Sequence, residues 1–449
     1  MTSPRPARPV IGLVAALTAA FTLPLAGLGA VPALAAPVVA DWFAALPTGS
    51  APEAILAGAD HALYTVNSGS DSVSKVGADG SVDAAFRSNL PAGSLPQSIA
   101  QDARGRLYVT SLTLSALYRL DPVTGQTDTA FSAALGHALD GRHPIAVATD
   151  SSGQVFTLNS GDETVSRLSP DGVELDRIAL SPTAESQSLG FADDGQLYVV
   201  NAGDHTVSRI SLDPAGHAVV VPSWAVLAPA LHPLALAFDH HDFVYTVSSV
   251  GDTVSKIDLT LPPGRNVVAN TVDAGARPFA ITSDPAGNVY TTDLGTNTVS
   301  LYAADGSVHS EVVALGGTPF AESIDAADDG AVYLANSDTS SVARVDLVAR
   351  IVSAAPDATA TVGSHYSHTV VATGLDPLRY VGIGTMPPGL ALDSATGVLS
   401  GDPAGAGTYD VDLLAVNAIG QSAPQHVRLT VSLPAGSTGC WFWREACGL

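Results

Sequence analysis

The sequence predicts an all-β chain, a seven-bladed β-propeller followed by an Ig-like β-sandwich. Three observations carry this reading. First, a Tyr-Thr-Val-Asn-like tetrad recurs seven times, from Tyr64 to Tyr333, with Phe156 as the one non-tyrosine aromatic. Second, each aromatic stands nine residues ahead of an aliphatic anchor, from Tyr64/Val73 to Tyr333/Val342, while successive repeats lie 42 to 48 residues apart. A constant interval inside each repeat and elastic connections between repeats describe a hairpin that cannot slip, joined by surface loops that can lengthen. Third, beyond residue 353 the tetrad stops and short alternating segments punctuated by Gly and Pro take over. That pattern belongs to a sandwich.

In chain order, residues 1–35 read as a secretory signal peptide. Arg5 and Arg8 supply the positive start, Val10 to Leu23 the apolar stretch, and Ala33-Leu34-Ala35 the small-x-small cleavage motif. Pro24 breaks the apolar run too early for a comfortable bilayer span. Residues 36–353 are assigned to the propeller. Its first segment, Asp41-Trp42-Phe43 leading to Leu46-Pro47, resembles the later stretch Val82 to Phe86 with Leu90-Pro91. It is therefore expected to be the outer strand of the last blade, closing the ring and removing its open edges.

Residues 144–180 serve as the type repeat. Strand A is expected over Pro144–Thr149, B over Gln154–Leu158, C over Thr164–Leu168 and D over Val173–Leu180, with Gly-, Asp- and Ser-rich turns between them. Nine residues before each aromatic stand Ile55, Ile99, Val147, Leu189, Leu236, Ile281 and Ile324, all aliphatic. One position earlier, Ala54, Ser98, Ala146, Ser188, Ala235, Ala280 and Ser323 are all small, as the crowded innermost strand requires. Residues 354–433 form the predicted sandwich, with strands such as Tyr409–Val416 and His426–Val431. Residues 434–449 are a tail in which Cys440 and Cys447 bracket Trp441-Phe442-Trp443. In an exported protein that pair reads as a small disulfide loop.

Forty-three acidic against nineteen basic residues give a net charge of −24, and only Lys75 and Lys256 are lysines. Such a balance excludes nucleic acid and anionic membrane as natural partners, since both need a basic footprint. No other stretch is apolar and long enough to cross a bilayer as a helix, so the expected product is secreted and extracellular, with surface association open, and monomeric. Elbow, phosphate-loop and Cys-x-x-Cys motifs are absent, so serine-hydrolase, nucleotide and thiol-redox chemistry lack support.

Tyr198-Val199-Val200-Asn201-Ala202-Gly203-Asp204-His205-Thr206-Val207-Ser208 resembles the YVTN family of β-propeller repeats. It is also similar to NHL and streptogramin-lyase-like propellers. The resemblance covers roughly residues 38–352 and implies a scaffold shared by surface proteins, binding modules, lactonases and lyases. A lyase of that type would add a His and Glu pair within the blade motif, which this sequence lacks. Met386-Pro387-Pro388-Gly389-Leu390, Thr396-Gly397-Val398-Leu399-Ser400-Gly401-Asp402-Pro403 and Gly407-Thr408-Tyr409 resemble the putative-Ig domain of bacterial surface proteins. Some relatives bind calcium through acidic interdomain motifs. Here Asn417 stands where an Asp would be expected.

Candidate chemistry lies where the repeats differ. Thirteen residues before each aromatic, four consecutive repeats place His143, Glu185, His232 and Arg277 on one rim. A His–carboxylate–His group could hold a divalent cation or run acid–base chemistry, with Arg277 clamping an anionic substrate. The alternative is that all four are ordinary solvated loop residues. Two positions further on come Glu53, Gln97, Ile145, Gln187, Leu234, Phe279 and Glu322. Asp162, Asp204 and Asp252 fall in the B–C turns of the same face, and His240-His241-Asp242 on the opposite one. Lys75, Arg119, Arg167, Arg209, Lys256 and Arg344, eleven residues after their aromatics, read as inter-blade ion-pairing residues. No cofactor is required beyond the candidate divalent cation. The leading functional reading is an extracellular binding or cell-surface interaction module for a polymer, glycan or protein. The alternative is a rim hydrolase or lyase, lactonase- or streptogramin-lyase-like, using His143, Glu185, His232 and Arg277.

Overall fold

The computed structural model describes residues 41–434, apart from 229–230, 273–276, 305, 316–320, 329, 376–377 and 418–419. The signal peptide and the Cys440–Cys447 pair lie outside the described residues. Seven sheets carry the seven repeats, and their A strands follow one another around a closed ring, the seventh packing against the first. These A strands are Pro52–Ala57, Pro96–Gln101, Pro144–Thr149, Ser186–Phe191, Ala235–Phe238, Pro278–Ser283 and Ala321–Ala326. Asp41–Ala45 is the outer strand of the seventh sheet, antiparallel to Ser341–Val345. Phe43 meets the repeat aromatic Tyr333 edge-on at 5.3 Å.

The nine-residue interval is a register. In the first hairpin Tyr64 pairs with Lys75, Val66 with Val73 and Asn67 with Ser72. The aromatic therefore faces the residue eleven on, and the anchor faces the residue two beyond the aromatic. The last loop residue of every hairpin (Asp71, Ser115, Glu163, His205, Asp252, Asn297, Ser340) has φ between 47° and 56°. That left-handed residue lets a four-residue loop close onto the strands. The asparagine of the tetrad pins it: Asn159 Nδ2 donates to Thr164 Oγ1 (3.0 Å) and Ser166 Oγ (2.9 Å), and Asn201 repeats the pattern. Strand B is buried along its length in the first four blades, and Tyr64, Tyr108, Tyr198 and Tyr290 are 0% exposed between blades.

Two blades depart from the four-strand expectation. Val82 to Phe86 is reduced to a single bridge, Val76 to Val82, because Asp83 Oδ1 accepts from the N–H groups of Ala85 and Phe86 and turns the chain. In the second blade a short helix, Thr129–Leu135, takes the outer position. Asp128 caps it by accepting from Ala130 and Phe131, and Phe131 packs edge-on against Tyr108 at 5.7 Å. Both segments still deliver an aromatic to the blade core.

The cation ladder also differs from expectation. Its charged partners lie within the blade: Lys75 with Asp60, Arg119 with Asp128, Arg344 with Asp346. What it reaches in the next blade is a turn carbonyl, namely Pro122 from Lys75, Pro170 from Arg119 and Gly216 from Arg167. Cross-strand pairing also places the cation over an aromatic, as with Lys75 over Tyr64 at 5.2 Å and Lys256 over Tyr245 at 5.3 Å.

The C-terminal module is a β-sandwich. One sheet orders Thr359–Thr361, Gln425–Ser432, Gly407–Val416 and Arg379–Gly384, the first pair being parallel. The facing sheet holds Tyr366–Thr369, Val398–Gly401 and Leu390–Leu392. Two motif glycines are required by close approach: a Cβ on Gly401 (φ 139°) would lie 2.0 Å from the Gly389 carbonyl. Asn417 donates Nδ2 to the Leu347 carbonyl (2.8 Å), so in this chain it ties the sandwich to the segment leading out of the last blade.

Candidate binding site at the channel mouth

The loops leading into the A strands and the B–C hairpins meet on one face, and a recurring latch joins them. The residue thirteen before the aromatic is itself left-handed in five described cases: Ala51, Leu95, His143, Glu185 and Arg277, with φ from 42° to 51°. Its carbonyl accepts the first N–H of its own hairpin loop, as from Ser160 to His143 (3.2 Å). Its own N–H is taken by the hairpin of the preceding blade. Asp71 Oδ1 accepts from Leu95 (2.8 Å), Ser115 Oγ from His143 (3.3 Å), Asp252 Oδ1 from Arg277 (3.0 Å), and Ser340 Oγ from Ala51 (3.4 Å) across the closing seam. Glu163 makes the same reach one residue later, to Ser186.

The four rim residues therefore occupy scaffold positions whose backbone is committed to holding adjacent blades. Three of them, His143, Glu185 and Arg277, share the latch conformation and are exposed; His232 is not left-handed. In that blade the A strand begins at Ala235 without a register shift, and the latch is rebuilt: His205 Nδ1 donates to the Leu231 carbonyl while its ring meets His232 edge-on at 4.8 Å. His143 Nδ1 donates to the Leu112 carbonyl (2.9 Å). The two histidine side chains are thus engaged at separate seams. Among the described residues no group of three or more His, Cys, Asp or Glu is placed to hold a metal ion. Asp162 and Asp204 hydrogen-bond within the rim loops, to Thr164 and Thr183. On the other face, His240 lies 3.7 Å from Asp193.

The next column inward behaves differently. In six blades the A strand carries a bulge, and its extra residue is Glu53, Ile145, Gln187, Phe279 or Glu322, or in the second blade Gln97 with Ser98. A bulge frees a side chain from the ladder and re-aims it, here at the mouth end of the innermost strands. Glu53 and Glu322 belong to the first and last repeats, which ring closure makes neighbours, so each carboxyl lies within the electrostatic reach of the other. Each also receives a hairpin hydroxyl, Ser68 Oγ on Glu53 (2.7 Å) and Ser337 Oγ on Glu322 (2.9 Å). Burial, then the adjoining Glu53 carboxyl, pushes Glu322 up to about 8.

Below the mouth a channel of about 570 Å³ runs between the A strands, lined by small residues such as Ala54, Ser98, Ser188 and Ser323. Toward its far end Asp325 accepts from the Ala57 N–H (2.8 Å) and Thr282 Oγ1 (3.0 Å), so one carboxyl links blades six, seven and one. Burial raises its pKa to about 6, offset in part by these donors. A larger cavity of about 800 Å³ opens on the opposite face, beside Tyr333, Arg344 and Arg350. Both arginines pair with Asp346 there, which offsets part of the charge an anionic ligand would seek. The mouth is the better site: its polar groups come from different blades and stand at one end of the innermost strands. The signal for the glutamate pair was present in the sequence, since both glutamates occupy one repeat position. Reading them as contacts required joining repeat seven to repeat one.

Residues 349–432 match the family described as Putative Ig domain. The streptogramin B lyase structure is similar over 68% of this chain and 96% of its own, at 15% identity and a TM-score of 0.58. Virginiamycin B lyase from Staphylococcus aureus is similar over 67% and 96%, at 14% identity and 0.56. The chain is a β-propeller joined to an Ig-like domain. The extracellular domain of a one-component system from B. thetaiotaomicron extends the similarity to 89% of this chain and 60% of its own, at 10% identity and 0.50. No curated protein matches the chain. At these identities the likeness is one of fold.

Proposed function

We propose that this protein is a secreted extracellular binding module that takes its ligand at the mouth of the propeller channel, with the Ig-like domain as a second interaction surface. The observation that supports the reading is the bulge column, which sets two glutamates, two glutamines and Phe279 from separate blades at the same end of the innermost strands. Such a mouth offers hydrogen-bond acceptors, amides and one aromatic, the mixture that suits a neutral polyhydroxylated polymer or glycan. In this reading residues 1–35 are removed on export, 36–353 form the propeller, 354–433 the sandwich, and Cys440 and Cys447 close a loop in the tail.

The test is binding of the purified mature chain to wall polysaccharides and a glycan array. Loss of binding in Glu53→Ala and Gln187→Ala, with the fold intact by circular dichroism, supports the mouth. Loss only on removing residues 354–433 transfers the site to the Ig-like domain. A lactone and lyase turnover screen abolished by His143→Ala and His232→Ala would replace the binding reading with the rim-enzyme one.

A further inference from the structure

We propose that the crevice between the fifth and sixth blades binds a small carboxylate on Lys256. Two observations meet there, and the first is a break in the cation ladder. Lys75 and Arg119 pair with an acid of their own blade, and Arg167 Nε donates to Gln154 Oε1. All three also reach a turn carbonyl of the next blade. Lys256 does neither. Among the described residues no carboxylate or carbonyl oxygen bonds its ammonium, which is half-buried over the rings of Phe243 (3.8 Å) and Tyr245 (5.3 Å). Phe243 stands two residues before its repeat aromatic, the place that Gln154 holds in the third blade, so a ring replaces an acceptor. Asp258, opposite Phe243 across the hairpin, turns its carboxylate to the Thr260 N–H (2.8 Å) and hydroxyl (2.6 Å). An ammonium carries three donors, and ring faces ease its charge without supplying lone pairs.

The second observation is a cavity of about 140 Å³ at this point, lined among others by Tyr245, Val254, Lys256, Tyr302, Ser307 and Val308. Ser307 belongs to the sixth-blade turn that corresponds to the turns reached by Lys75, Arg119 and Arg167. Open space therefore stands where the first three blades place a cation-to-carbonyl contact. A cavity of about 150 Å³ takes one benzene, so this one suits a ligand of about six heavy atoms. Its walls are largely apolar and it holds a single cation, while a chain of net charge −24 disfavours a dianion. The complement is a short monocarboxylate. Its oxygens accept from Lys256 Nζ, and its apolar body lies against Val254 and the tyrosine rings. The crevice is separate from the channel mouth and does not depend on the reading given to it.

The experiment uses the intact mature chain, with sodium propionate as the probe and neutral propionamide as the control. Saturation-transfer NMR measures binding. Since Lys75 and Lys256 are the only lysines, peptide mass spectrometry of trace acylation reads one against the other. Propionate is expected to bind with a Kd of about 1 mM and, at about 10 mM, to slow acylation of Lys256 about tenfold while leaving Lys75 unchanged. Lys256→Met should remove the propionate signal. Phe243→Gln, which supplies the acceptor present in the third blade, should weaken it about tenfold. Oligogalacturonate added in competition separates two sources of the carboxylate: displacement of propionate admits one carried on a polymer, and no displacement restricts the crevice to free acids. Equal protection by propionamide, equal protection of both lysines, or a folded Lys256→Met that binds propionate like the wild type overturns the proposal.

Discussion

Replacing Asp325 with asparagine should stabilise this protein at neutral pH while leaving it nearly unchanged in acid. The carboxyl is wholly buried and its pKa is raised from 3.8 to about 6. Two pKa units correspond to about 3 kcal/mol of preference for the protonated form. Since the folded state favours the proton, that stability is fully present below the unfolded pKa near 4. It declines as pH rises through 4 to 6, and the full cost is carried above 7. Asparagine keeps an oxygen for the Ala57 N–H and offers an amide to the Thr282 hydroxyl without charge. That amide replaces the oxygen that also accepts from the Ala326 N–H (3.0 Å), a loss of about 1 kcal/mol. The expected gain at pH 7.5 is therefore up to about 2 kcal/mol, or roughly 2–3 °C in melting temperature for a chain of this size. At pH 4 the two proteins should coincide within about 1 kcal/mol. Calorimetry across pH 4 to 8 measures both limits. If Asp325→Asn is less stable than the wild type at pH 7.5, or its pH profile runs parallel to the wild type, burial does not dominate at this carboxyl and the reasoning fails.

Three other perturbations address the scaffold. Asp71→Ala removes the carboxylate that accepts from Gly93, Ser94 and Leu95 and should cost about 1–2 kcal/mol by urea denaturation at pH 7. Burial would raise the Asp71 pKa, but those donors outweigh it and hold the carboxyl below the usual carboxylate range, so the difference should shrink as pH falls below that range. Arg277→Gly relieves a left-handed backbone at φ 50° and should hold or raise stability by up to about 1 kcal/mol; a clear loss in thermal melts would show that its side chain, and not only its backbone, supports the rim. Deleting residues 36–46 strips the outer strand from Ser341–Val345 and should lower the melting temperature markedly, whereas an unchanged melt would dismiss the closing strand as a stabilising element.

Much of the ring was legible because its information is local. A hairpin register depends on residues within a dozen positions of one another, so the interval from Tyr64 to Val73 announces the pairing of Val66 with Val73 before any tertiary contact is known. The same locality explains why Ile55 and its six counterparts could be placed on the innermost strands. Departures were missed where one side chain redirects the backbone, as Asp83 does before Phe86 and Asp128 does before the short helix. Turn and cap residues of this kind look alike in sequence whether or not the sheet continues past them.

The rim shows the opposite limit. His143, Glu185, His232 and Arg277 align in the sequence, yet alignment in a repeat records position along a strand and not which way a side chain leaves it. In the structure that position is a left-handed latch, and His232 falls out of register because its blade lacks the bulge. What the amino-acid sequence determined by itself was the blade, its hairpin and the number of copies, because those follow from short-range pairing. Which side chains meet was decided only by closing the ring: Glu53 and Glu322 stand 269 residues apart in the chain. The influence of one carboxyl on the other, and the electrostatic cost of burying Asp325 between three blades, exist only once that distance has been closed.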